Sequence, residues 1–271
     1  VERPEQPGLA HRAVLVRQGG GEREGEDWLA EEAPVELRYN GEAFAVMMAT
    51  PSDLEDFAYG FSLSEGRVAR AGEIRGVALR EQLEGYVIDI DAPAAVAMDD
   101  ASARLMPGRS GCGLCGSRHL EDVLKPIPPV PDGPELAPGA LEAALAALAA
   151  HQPLNGRTGA VHAAAWASTG GEILRVREDV GRHNALDKLL GSLSREGADL
   201  RGGFVLVTSR ASYEMVTKAA RLGVGVLAAI SAPTALAVTL ARASNLTLAG
   251  FVRPGRHVVY SQPHRLRDAG A

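Results

Sequence analysis

Phe204-Val205-Leu206-Val207-Thr208-Ser209-Arg210-Ala211-Ser212-Tyr213-Glu214-Met215-Val216 decides the fold class of this chain. Four apolar residues without a polar interruption read as a strand buried on both faces. The polar run from Thr208 ends the strand, and Ser212 stands where a helix N-cap belongs. Met215, Val216, Ala219 and Ala220 follow at helical spacing. A second apolar run, Val224 to Ile230, reads as another buried strand, and Ser231-Ala232-Pro233-Thr234 opens a further helix capped by Ser231 or Thr234. Strand, polar turn and helix repeating at this spacing make a layered α/β domain.

Outward from that unit the pattern continues in both directions. Val161 to Trp166 and Glu172 to Val176 read as strands joined by Thr169-Gly170-Gly171. Asn184 is placed to cap a helix whose apolar stripe is Leu186, Leu189, Leu190 and Leu193, and Leu141, Leu145 and Leu148 mark an alanine-rich helix. Leu246 to Leu248 and His257 to Tyr260 close the domain as strands. Nearer the N-terminus, Val35-Leu37-Tyr39 and Phe44-Val46-Met48 alternate around Asn40-Gly41, a hairpin with a type I′ turn. Ser52 with Glu55 reads as a capping box for a helix through Leu54, Phe57, Ala58 and Phe61, with Gly66 after it. Ile74 to Leu79 and Tyr86 to Ile90 read as two further strands. The expected organisation is a flexible N-terminus over 1–30 with a short strand at Ala13 to Val16, and a strand-rich part over 31–105. A mobile cysteine loop with a proline-rich connector over 106–138, an α/β domain over 139–262 and a tail over 263–271 complete it.

Composition narrows the function classes. The 271 residues are 46% hydrophobic with only 4% aromatics, enough for a full core built from small aliphatic side chains. The net charge of −6 argues against a nucleic-acid binder, which needs a basic field. The first apolar run is too short for a signal peptide, and no run approaches a membrane span. Two cysteines, Cys112 and Cys115, in a chain of this size point to a reducing compartment and a redox, metal or sulfur-transfer role, hence a cytoplasmic protein.

Those cysteines lie in Gly111-Cys112-Gly113-Leu114-Cys115-Gly116, flanked by Arg109 and by Arg118 and His119. Nearby positive charge favours the reactive thiolate. A thioredoxin-like site would sit at a strand-to-helix junction, which this context lacks. A zinc site needs about four ligands, whereas Cys112, Cys115 and His119 supply three unless a dimer shares the metal. Packing as small apolar residues is the bland alternative. A nucleophilic thiolate that carries a persulfide, with the second thiol able to resolve it, is the reading the glycines and basic flanks favour.

The strand-to-helix junctions are the other candidates. Arg177-Glu178-Asp179-Val180-Gly181-Arg182-His183-Asn184 places Arg182 and His183 at a helix start, where an anion is well received. Against that, Arg177 could simply pair with Glu178 or Asp179 on the surface. Ser209 and Arg210 follow one buried strand, and Ser231 and Thr234 follow the next. Phe251-Val252-Arg253-Pro254-Gly255-Arg256 puts an aromatic and two arginines at a Pro-Gly turn, able to stack on a base and clamp a phosphate. Junctions sharing one sheet edge would build one pocket.

Together these segments resemble the FdhD family, sulfur carriers needed for formate dehydrogenase activity. The resemblance spans roughly Val35 to Tyr260 and rests on several stretches. They are Pro51 to Glu55 and Leu63 to Gly66, Arg109 to Gly116, Glu178 to Lys188, Ser209 to Met215, Ser231 to Thr234 and Gly250 to Arg256. It implies a cytidine-deaminase-like fold for the C-terminal domain and a homodimer. It also implies that sulfur arrives from a cysteine desulfurase as a persulfide on Cys112, with Cys115 supporting or resolving. The recipient would be the molybdenum or tungsten of a bis-guanine-dinucleotide cofactor, bound as substrate by Phe251 to Arg256 and destined for formate dehydrogenase. No permanently bound cofactor or metal is expected, and GDP or GTP should mimic part of the substrate. Deamination, the activity the fold analogy raises, needs H-x-E and P-C-x-x-C, whereas the junction Gly181-Arg182-His183-Asn184-Ala185 has no Glu two residues after the His and Pro107 is not next to Cys112. A non-catalytic cofactor-binding chaperone and a zinc-binding protein remain the alternatives.

Overall fold

The structure is a computed structural model describing residues 7–93, 127 and 129–267. Cys112 and Cys115 lie outside the described residues. Two apolar runs of the C-terminal part become central strands of a six-stranded sheet: β7 (His162–Ser168), β8 (Ile173–Asp179), β9 (Gly203–Val207), β10 (Val226–Ala229), β11 (Thr247–Arg253) and β12 (Arg256–Ser261), in the order β12-β11-β10-β9-β7-β8. Strands β9, β10 and β11 are parallel, and β7 and β12 run antiparallel to their neighbours. Each central strand is buried on both faces, so its residues divide by pleat. Val205, Val207, Leu227 and Ala229 pack on helices α4 (Arg182–Arg195), α5 (Tyr213–Arg221) and α6 (Ala235–Ala243). Phe204, Leu206, Val226 and Ala228 face α2 (Ala140–Leu148), while α3 (Pro153–Thr158) follows at the periphery. This is the layered α/β architecture read from the sequence.

The strand-rich part forms a four-stranded sheet, β4-β3-β6-β5, from β3 (Ala33–Tyr39), β4 (Glu42–Ala49), β5 (Gly76–Gln82) and β6 (Gly85–Asp91). Asn40 and Gly41 both have positive φ, as the type I′ turn requires. Helix α1 (Leu54–Ser64) covers this sheet with Phe57, Ala58 and Phe61, and its other side lies on α4. The two helices touch through glycines: a Cβ on Gly60 would fall 1.7 Å from the Asp187 carbonyl oxygen, and one on Gly191 would fall 1.9 Å from that of Asp56.

Several local expectations are corrected. Residues Leu9–Gln18 and Gly21–Ala30 pair over their whole length as a hairpin, β1-β2, instead of fraying. Its signal was hidden because the ribbon is largely exposed on both faces, so no apolar alternation is imposed. The capping box does not form: Asp53, at φ 52°, occupies the N-cap of α1 without a side-chain bond. Gly181, not Asn184, is the N-cap of α4, and Asn184 is a buried residue of its first turn. Ser212 does hold the N-cap position of α5, without a side-chain capping bond. Thr234 caps α6 by accepting from the Ala237 amide. Phe251 to Arg253, expected in a turn, belong to β11, and only Pro254-Gly255 turns.

Candidate functional site

At one edge of the six-stranded sheet β8, β9 and β10 end and β7 begins, and main-chain bonds join the junctions there. The Thr208 amide donates to the Ala163 carbonyl at 3.0 Å, and the Ala211 and Thr234 amides bond across to Ala232 and Ala211. The Phe251 amide donates to the Ser231 carbonyl at 3.1 Å. Gly250 permits this approach, because a Cβ there would meet the Pro233 ring at 2.8 Å. Three of the four segments picked from the sequence are therefore contiguous through backbone alone. The fourth joins them through side chains, with His183 Nε2 2.8 Å from Glu214 Oε2 and 3.5 Å from Ser212 Oγ.

Most of the charged segment from Arg177 to Lys188 is consumed internally. Asp179 is fully buried: Oδ1 accepts from the Gly181 amide and Asn184 Nδ2, and Oδ2 accepts from the Thr50 amide and, at 2.6 Å, from Lys188 Nζ. Thr50 completes the knot by accepting from Lys188 at its carbonyl and from the Val180 amide at its hydroxyl. Glu178 accepts the Leu154 and Asn155 amides at the start of α3; burial pushes its carboxyl up, and those two bonds oppose the shift. Asp187 accepts from Ser64 Oγ and Lys218 Nζ. Burial works against the charge on Lys218, but Asp187 and Glu65 outweigh it and raise its pKa. Arg177 pairs with Asp56 at 2.6 Å, not with its sequence neighbours.

What the segment leaves over is Arg182 and His183. Arg182 has no ion-pair partner among the described residues, and its Nε is buried without a hydrogen bond there. Glu214 is spent on His183 through one oxygen, while its Oε1 has no partner among the described residues. Arg210 is exposed at the same edge, and Ser209 is buried with its hydroxyl turned to the Arg210 carbonyl. Across the sheet Phe251 lies in a bulge of β11 at φ 51° and is 40% exposed, while Arg253 donates to the Ile230 carbonyl. Pro254, Gly255 and Arg256 are exposed at the tip. Val252 differs: its side chain is buried in the core on the α2 side, so only its backbone can serve a ligand. Thr234 is occupied as a helix cap.

One residue joins the site that the sequence reading did not single out. His162 opens β7 directly opposite Asp179, with Nδ1 3.4 Å from Thr208 Oγ1. Burial lowers its pKa, Arg182 and His183 lower it further, and Asp179 opposes them, so the imidazole is neutral near pH 7. No local pattern marks His162; the pairing of β7 with β8 and β9 brings it beside Thr208, which the sequence reading places in a strand-to-helix segment. The edge as a whole is rich in donors and cations, has Asp179 paired with Lys188 and Glu214 held on His183 through one oxygen, and carries an exposed aromatic at one end. Such a surface suits a ligand with phosphates and a planar base.

The FdhD/NarQ family model matches residues 30–267, which takes in both sheets and every segment of this edge. The chain belongs to the FdhD/NarQ family. Among FdhD relatives, "Sulfur carrier protein FdhD" of Xanthomonas euvesicatoria is 53% identical over 96% of this chain and 93% of its own length. The protein of the same name from Bordetella petrii is 48% identical over 97% and 96%. A crystal structure described as that of a formate dehydrogenase accessory protein from Desulfotalea psychrophila superposes with a TM-score of 0.74 at 28% identity, covering 96% of this chain and all of that one. The β1-β2 hairpin lies almost wholly outside the region that the FdhD/NarQ model matches.

Proposed function

We propose that this protein is a sulfur carrier serving formate dehydrogenase. Cys112 receives sulfur from a cysteine desulfurase as a persulfide, with Cys115 as the supporting thiol. The sulfur goes to the metal of a bis-guanine-dinucleotide molybdenum cofactor, held as substrate at the strand-end edge of the six-stranded sheet, and the protein acts in the cytoplasm as a homodimer. The observation that carries this reading is the family membership, in a chain that keeps a glycine-flanked C-x-x-C within the matched region. The edge supports the substrate assignment. Arg182, Arg210 and Arg256 are unpaired cations among the described residues, suited to phosphates, and exposed Phe251 offers a ring face for guanine.

The test is Cys112→Ala. The variant is expected to bind GDP like the parent yet leave formate dehydrogenase inactive. Incubating the parent with a desulfurase and cysteine adds ~32 Da at Cys112, read by mass spectrometry. Full dehydrogenase activity with the variant overturns the carrier role and leaves a cofactor-binding chaperone.

A further inference from the structure

We propose that His162, together with Arg182, contacts the phosphates of the bound nucleotide, and that the imidazole gains its charge only when they arrive. This rests on the nucleotide-binding reading above and names the residues that would hold its anionic part.

Placement comes first. His162 and Asp179 are cross-strand partners, so their side chains leave the same face of the sheet. Asp179 reaches the first turn of α4 through Gly181 and Asn184, which puts His162 on the side where Arg182 and His183 begin that helix. Thr208 Oγ1 lies on Nδ1, leaving Nε2 as the ring's free nitrogen among the described residues. The groups facing the ring are Asp179 from β8, Thr208 from β9, and Arg182 and His183 from α4.

The charge balance of the corner follows. Asp179 is neutralised by Lys188, and Glu214 is turned to His183. Arg182 keeps its cation and has a buried Nε with no partner among the described residues. An orphaned guanidinium N–H on the side of the neutral imidazole, with Asp179 paired to Lys188 and Glu214 turned to His183 through Oε2, is a vacancy for an oxyanion. Without ligand, burial first and then Arg182 and His183 hold the proton off His162, against the opposing pull of Asp179. A diphosphate reverses the local field. One proton passes from the buffer to the imidazole, and the resulting N–H donates to a phosphate oxygen; no other bond forms or breaks.

Calorimetry with GDP in two buffers of different ionisation enthalpy reads the proton directly. The parent protein is expected to take up close to one proton per GDP near pH 7, and the GDP Kd is expected to rise by up to about tenfold per pH unit on the alkaline side. Guanosine, lacking phosphate, should bind without proton uptake. His162→Asn keeps a group on Thr208, and His162→Gln keeps one near the Nε2 position. Both should lose the uptake and the pH slope while melting at the parent's temperature. GDP binding with no proton uptake by the parent, or unchanged uptake by both variants, overturns the assignment of His162 alone. Failure of GDP to bind the parent at millimolar concentration removes the nucleotide reading and this inference with it.

Discussion

Lys188 and Asp179 show how a charged motif can be architectural. Both are fully buried, 2.6 Å apart, and tied to Thr50 in the strand-rich part of the chain. Their spacing of nine residues spans the junction that presents Arg182 and His183, so the pair braces that junction from the interior. Replacing one partner strands the other's charge in the interior. Lys188→Met is expected to cost about 3–5 kcal/mol in urea denaturation, and Asp179→Asn on top of it to restore part of that loss. Additive losses in the double variant would show that the two charges do not compensate each other. Residue types alone marked this stretch as unusual, but they could not separate the bracing side chains from those left over at the edge. For Arg177 the bland alternative was a pair with its neighbours; it is indeed in an ion pair, but with Asp56, over a hundred residues away in the chain.

At the level of elements, the contact between α1 and α4 governs how the two sheets meet. Gly60 and Gly191 remove both side chains at the crossing, and the helix backbones come together there. Gly191→Ala drives a methyl group into the Asp56 carbonyl. Helix propensity alone favours the alanine by about 1 kcal/mol, but the overpacking costs more, for a net loss of about 1–3 kcal/mol. Chemical denaturation measures it, and a stabilised variant would mean that the helices can separate freely. Both helices were legible from apolar spacing. Their glycines were not, since a helical glycine reads as a weakness until the facing helix is known. The same limit explains the caps: Gly181 is chosen by the turn that Asp179 closes, a contact that propensity does not see.

For the molecule as a whole, three buried ionic knots connect the four-stranded sheet and α1 to the six-stranded sheet. They are Asp56 with Arg177 and Arg195, Thr50 with Asp179 and Lys188, and Ser64 and Glu65 with Asp187 and Lys218. Separating the two parts would expose α1 and α4, break the pairs of Asp56 with Arg177 and Arg195 and of Glu65 with Lys218, and strip Asp179, Lys188 and Asp187 of their bonds to Thr50 and Ser64. Scanning calorimetry near neutral pH is therefore expected to show one cooperative transition, not two. Two resolved peaks would mean the knots do not couple the sheets. The β1-β2 hairpin stands apart from this unit. It is held at its base by Leu9, Trp28 and Ala30 against Leu154, Val161 and Val180.

By itself the sequence determined the layered α/β class, the central strands, the type I′ hairpin and the segments from which the site is built. Those features depend on short-range rules: continuous apolar runs for doubly buried strands, alternation for half-buried ones, positive φ at Asn-Gly. Tertiary structure alone decided which charges are bound into the interior and which are left over at the sheet edge. Pairing of β7 with β8 and β9 brought His162 and Thr208 to the edge, docking of α1 on α4 committed Asp179, Asp187 and Lys188 to the interior, and a bulge turned Phe251 outward while Val252 entered the core. Hydrogen bonds and ion pairs between residues far apart in the chain are set by strand register and helix docking, and no local pattern carries that information.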